Sequence, residues 1–159
     1  MNSISIVDAQ NCQIFLRVLK KLPTDAVGYK PHERCPTAQQ LVWILTSELK
    51  ACIDVATQNR AEWQSLPAPP LPEMVRLFEQ RSNELIDSVS KMDEGSWNRT
   101  AQFYYEGKVV SEQPVNQFLW FILFDAIHHR GQINSYIVSY PEVGQKRGSR
   151  RSHWVSSPP

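Results

Sequence analysis

Apolar residues recur along this chain mostly at helical spacing, and the runs are cut by prolines. Between Asp8 and Leu22, Cys12, Phe15, Leu16, Leu19 and Leu22 form one stripe that Pro23 ends. A second stripe carries Leu41, Ile44, Leu45, Leu49, Cys52 and Ile53 and fades near Thr57. It opens at Thr37-Ala38-Gln39-Gln40, a capping-box pattern. A third runs from Pro72, a first-turn proline, to about Met92, with Met74, Leu77, Phe78, Leu85, Ile86 and Val89 inward. Asp93-Glu94-Gly95-Ser96 is expected to end it. The fourth starts near Pro114 and runs to about Tyr140, before Pro141. From Phe118 to Phe124 it is apolar on nearly every side, which predicts a helix enclosed by its neighbours or covered by a second subunit.

The segments between differ in kind. Residues 23–36 hold three prolines and read as an ordered loop. Leu66-Pro67-Ala68-Pro69-Pro70-Leu71-Pro72 reads as a stiff connector, with a PxxP spacing that suits an SH3-like module less simply. Phe103, Tyr104, Tyr105, Gly107, Val109 and Val110 break the helical rhythm and suggest a hairpin turning at Glu106-Gly107. Four helices with one extended excursion predict an all-α four-helix bundle over residues 1–141, whose long connections leave the helix order open. Residues 142–159, with Lys146, Arg147, Arg150 and Arg151, read as a basic, mobile tail.

Composition changes this picture little. With 159 residues, 42% hydrophobic and 21% charged, one soluble domain is expected. A net charge of +1 gives no argument for nucleic acid, and the longest apolar run is too short for a membrane. Cys12, Cys35 and Cys52 are odd in number and lack zinc-type spacing, which suits reduced thiols in a cytoplasm.

The chemistry concentrates where the fourth helix turns polar, at Asp125-Ala126-Ile127-His128-His129-Arg130-Gly131-Gln132. Asp125 and His129, four residues apart, share a helical face with Phe118, Phe121, Ile122, Gln132 and Tyr136. Such a gradient predicts a polar pocket at one end of a bundle. The second helix offers Ile44, Glu48 and Cys52 at successive turns, with Glu48 the candidate carboxylate. Asp125, His129 and Glu48 together suit zinc, nickel, iron or manganese and leave a position for water or substrate. The plainer reading is a helix-internal Asp125–His129 ion pair with His128 at the rim and no metal. Arg130 is expected to face solvent, although it could meet a carboxylate ligand. Gly131 is expected to permit a close helix approach or access to the pocket. Cys52 reads better as a buried thiol than as a nucleophile, and His32 as a surface residue.

This octapeptide resembles the H/D-x-x-x-H-R-G-Q signature of the DinB/YfiT-like superfamily of metalloenzymes. Pro31-His32 before the capped helix, Trp97 after the third helix and the segment Phe103 to Gly107 support the resemblance, over roughly residues 5 to 141. It implies a four-helix bundle in up-down-down-up order, often a homodimer, with a three-ligand metal site. Two ligands map onto Asp125 and His129. The third, a histidine after a tryptophan of the second helix, is Ile44 here, within Trp43-Ile44-Leu45. Either Glu48, one turn on, replaces it or the site is degenerate. Characterised relatives include metal-dependent thiol transferases and a thiol-dependent isomerase, so the resemblance implies a transferase or hydrolase acting on a small thiol or other small molecule. The competing expectation is a non-catalytic relative that binds a small ligand or only stabilises a dimer. A weaker third is an interaction module built on the tail and the proline connector.

Overall fold

The computed structural model describes residues 9–141, and the expectations for Asp8 and for the basic tail lie outside them. Four long helices, α1 (Ala9–Leu19), α2 (Ala38–Gln58), α3 (Leu71–Ser90) and α5 (Val115–Ser139), carry the stripes read from the sequence. A three-residue 3-10 turn (Thr24–Ala26) and a short helix α4 (Glu94–Asn98) lie between them, together with strands β1 (Arg60–Trp63), β2 (Thr100–Tyr105) and β3 (Lys108–Pro114). The all-helical expectation is therefore corrected: a three-stranded sheet, ordered β1-β2-β3, is part of the fold. The chain from Asp93 does not simply end α3. Asp93 caps α4, its side chain accepting from the Ser96 N–H at 2.7 Å.

The local chemistry explains these boundaries. At the start of α2, Thr37 Oγ1 accepts from the Gln40 N–H while Gln40 Oε1 accepts from the Thr37 N–H, the reciprocal box the sequence predicts. At its end, Asn59 takes the left-handed conformation (φ 58°) and donates to the Val55 carbonyl. That turn sends the chain straight into β1, which pairs parallel with β2. The hairpin turns at Glu106 (φ 49°) and Gly107 (φ 73°), the two successive positive φ values that a two-residue hairpin favours. The 23–36 loop is tied to α2 and α5: Ala38 N–H donates to Tyr29 O, and the Tyr136 hydroxyl donates to Pro36 O.

The buried apolar residues fall into two clusters. One gathers Leu41, Val42 and Leu45 of α2 with Phe15, Leu19, Met74, Phe78, Ile133, Tyr136 and Ile137. The other gathers Ala51, Cys52, Ile53 and Val55 of α2 with Leu85, Val89, Ala101, Val115, Phe118, Leu119 and Ile122. On α2 the break falls between Leu45 and Ala51; on α5 it falls between Ile122 and Ile133. Glu48 sits in the first gap, Asp125 and His129 in the second.

Of the two alternatives expected for α5, enclosure by its neighbours is overturned. The helix is not enclosed on all sides, because Trp120, Phe121, Phe124 and Ile127 are exposed among the described residues, Phe121 at 66%. Phe121 therefore leaves the inward stripe assigned to it, while Phe118, Ile122 and Tyr136 keep their place. The cause is the breadth of the apolar run: α2 and the sheet cover one side of a helix that is hydrophobic on both.

Candidate metal centre

Glu48, Asp125 and His129 converge at the seam between the two clusters. His129 Nε2 lies 3.6 Å from Asp125 Oδ2 and 4.0 Å from Glu48 Oε1. One donor atom from each residue lies within 4.8 Å of the other two. Ligand atoms about 2.0–2.2 Å from a tetrahedral ion sit roughly 3.3–3.6 Å from each other, so binding would draw the widest pair together by about 1 Å. Glu48 is 5% exposed, and its Oε2 is buried with no hydrogen-bond partner among the described residues. Asp125 is about half-exposed at its side chain and forms the solvent side of the group.

The electrostatics follow from this placement. Burial, and next the facing Asp125 carboxylate, push Glu48 up to about 9. In the metal-free protein at neutral pH, Glu48 therefore keeps its proton, which it can share with Asp125. A divalent cation would remove the reason for that proton, replacing like-charge repulsion by attraction. His129 Nδ1 lies 2.8 Å from Gln132 Oε1. With that oxygen accepting, Nδ1 carries the ring proton and Nε2 turns its lone pair toward the two carboxyls, the tautomer a metal ligand needs. The residues thus fit a divalent ion: two carboxylates, one oriented imidazole and a buried oxygen with no partner.

The other expected site residues are distributed as follows. Gln132 is joined to the group through His129. Cys52 is one turn beyond Glu48 and buried, where burial, and next the Glu48 charge, push its thiol well up; it stays protonated. With Glu48 it lines a cavity of about 60 Å³ whose wall is otherwise almost wholly apolar, including Leu45, Phe78, Leu119 and Ile122. Ile44 is half-buried one turn before Glu48 and supplies no ligand atom. His128 is exposed beside His129, their ring centres 5.5 Å apart. Arg130 does not face solvent freely: it is half-buried, with its guanidinium 4.9 Å from the Phe15 ring centre. Tyr136 is engaged with Pro36 and Tyr29 at the loop rather than with the carboxyls. Gly131 is exposed, with open space where a side chain would be, so among the described residues it meets no close helix. His32 is exposed, as expected, and Cys12, Cys35 and Cys52 form no disulfide. No described helix is long and apolar enough to cross a membrane.

Sequence reasoning missed β1 and what it builds. The four residues Arg-Ala-Glu-Trp alternate weakly and contain no β-branched side chain. The helix-ending Asn59 was the available signal.

Comparison with known proteins places this fold in a wider group. No curated protein matches the chain. The crystal structure of a DinB-like protein, YjoA, from Bacillus subtilis superposes with a TM-score of 0.65 at 14% sequence identity, covering 98% of this chain and 94% of that one. At that identity the likeness shows the fold. A family profile, that of the DinB superfamily, matches residues 9–133. With the signature on α5, the helical fold and a profile spanning most of its length, the chain belongs to the DinB superfamily.

Proposed function

We propose that this protein binds one divalent metal ion through Glu48, Asp125 and His129, with Glu48 taking the place of the histidine expected at Ile44. The observation that carries this reading is the buried Glu48 carboxyl, one of whose oxygens has no partner, facing a carboxylate and an oriented imidazole. Three protein ligands leave a coordination position for a small molecule, and the bound ion supplies a lowered pKa to a thiol or water there. Glu48 and Asp125 neutralise the ion, Gln132 holds the imidazole, and the apolar cavity beside Cys52 receives a hydrophobic part of the ligand. Cys52 is not the nucleophile, because its surroundings hold the thiol protonated. The activity we infer is therefore transfer or hydrolysis in which the thiol or water comes from solution. Zinc, nickel, iron and manganese all suit one imidazole and two carboxylates.

We read the four long helices as the up-down-down-up bundle, and the exposed Trp120, Phe121, Phe124 and Ile127 as a face that meets a second copy of the chain. Thiols that form no disulfide suit a reducing compartment such as the cytoplasm.

The test is elemental analysis of protein purified without a histidine tag and reconstituted with zinc, nickel and manganese in turn. About one equivalent is expected, falling sharply in Glu48→Gln; less than about a tenth of an equivalent would end the proposal. One observation favours a second reading, a degenerate site: a Glu48 protonated up to about pH 9 is satisfied by Asp125 without a metal. On that reading the wild type stays empty and Ile44→His creates binding. On ours, Ile44→His adds little.

A further inference from the structure

A second cavity, of about 380 Å³, lies on the opposite face of α2 from Glu48 and Cys52. It falls within the range of small-molecule sites, about 300–1,000 Å³. Its walls are built, not incidental. Trp43 and Lys50 come from α2, Trp63 from β1 and Arg81 from α3. The proline connector closes one side and is fastened there: Trp43 Nε1 donates to Leu66 O at 2.9 Å, and Gln39 Nε2 to Pro69 O at 3.2 Å. The unexpected strand β1 thus acquires a purpose, since it carries Trp63 to the rim.

The charges of the lining are unequal. Lys50 is paired with Asp54, and Arg60 with Glu62 at 3.8 Å, Arg60 also lying over the Tyr104 ring. Arg81 forms no ion pair with any described residue; Asp54 and Glu84 act on it only from farther off. Its Nη1 donates to the Thr46 carbonyl at 2.7 Å, and its guanidinium lies 5.9 Å from the Trp43 ring centre. One donor of a five-donor fork is thereby used, which anchors the group and leaves its other donors available. A half-buried guanidinium, held in place, with donors to spare and the Trp43 indole beside it, is an arrangement that recognises a planar anion.

We propose that this cavity is a second binding site, separate from the metal centre, for a small organic monocarboxylate with a flat apolar body. The carboxylate meets Arg81, and the body packs on Trp43 and Trp63. The charge count selects the ligand class: one cation lacks a partner, so a monoanion is matched. A phosphate monoester would bring a second negative charge toward Asp54 and Glu62.

The test uses 2-naphthoate, its neutral twin 2-naphthamide and the dianion 2-naphthyl phosphate, titrated calorimetrically into the metal-free full-length chain. The indole N–H signals of Trp43 and Trp63 are followed by NMR. Naphthoate is expected to bind about tenfold tighter than the amide, as one charge-assisted contact predicts, and tighter than the phosphate, with shifts at both indoles. Arg81→Met should erase the preference for the acid, and Trp63→Ala should weaken all three ligands. Equal affinity for acid and amide, or no saturation up to about 10 mM, overturns the proposal. So do shifts confined to the surroundings of His129. Should Arg81→Met fail to fold, Trp63→Ala decides: unchanged naphthoate affinity refutes the site. None of these variants touches Glu48, Asp125 or His129, so the outcome is independent of whether a metal binds there.

Discussion

Helices α2 and α5 invert the usual relation between polarity and burial. In α2 a glutamate is 5% exposed; in α5, a helix with far more aromatic surface, Phe121 is 66% exposed. Both departures cost free energy in an isolated chain, one through desolvation of a carboxyl and the other through hydration of a ring. On the function proposed above, each is met by a partner that the single chain does not supply: a cation for Glu48, and the apolar surface of a second copy for Phe121. Elsewhere the two helices behave alike, giving leucine, isoleucine and valine to the same two clusters. The division of the core into two clusters is what makes room for the polar group between them.

The largest expected effect separates packing from assembly. Leu45→Ala removes a side chain 1% exposed at the edge of the gap and should destabilise the fold by about 2–5 kcal/mol in chemical denaturation. Phe121→Ser, in the aromatic face, should leave monomer stability within about 0.5 kcal/mol yet shift the species seen by light scattering from dimer to monomer. A large loss of monomer stability in Phe121→Ser would mean that the face is core after all, and the contrast with Leu45 would collapse.

The contrast sharpens with metal. His129→Ala deletes the donor nearest both carboxyls and should lower metal affinity by more than about 100-fold, read by competition with a chelating dye. Gln132→Leu keeps every ligand but removes the acceptor at 2.8 Å that orients the ring, so a smaller loss is expected, about 10–100-fold. Equal losses in the two variants would show that Gln132 is itself a ligand. No loss in either would put the metal elsewhere.

How much of this could be read in advance depends on the length over which a signal repeats. The long helices were legible because three or more turns of apolar spacing agree with a cap or a proline at each end, as at Thr37 and Pro114. The hairpin was legible from the aromatic and β-branched residues on either side of Glu106-Gly107, with the glycine supplying one of the two positive φ values. The strand β1 was not, because four residues paired to β2, some forty positions away, carry no local period. The triad was legible on α5 through its i,i+4 spacing, and on α2 only through the position of Glu48 one turn from Ile44. Spacing could not reveal that Phe121 faces outward, since a uniformly apolar run has no preferred side. Nor could it show Arg130 lying on Phe15, a contact between residues far apart in sequence.

The smallest expected effect, per unit of pH, concerns the proton on Glu48. Its pKa in the folded protein is raised from 4.5 to about 9. Between those values the folded metal-free protein holds a proton that the unfolded chain has released. Stability is therefore greatest below the lower value, falls as pH rises through the interval, and levels off above the upper one. The slope approaches about 1.4 kcal/mol per pH unit for one proton, and neighbouring titrations will dilute it. Glu48→Gln, which cannot ionise, should flatten the profile of the denaturation midpoint between about pH 6 and 8. Metal reverses the sign: binding expels the proton, so affinity should rise with pH over the same window, and rise less steeply in Glu48→Gln, however weak. A wild-type stability that rises with pH across this window would show that Glu48 is ionised in the folded protein. It would then need a cation or another partner already in place, and the comparison between a carboxyl awaiting a metal and a ring awaiting a surface would lose its first half.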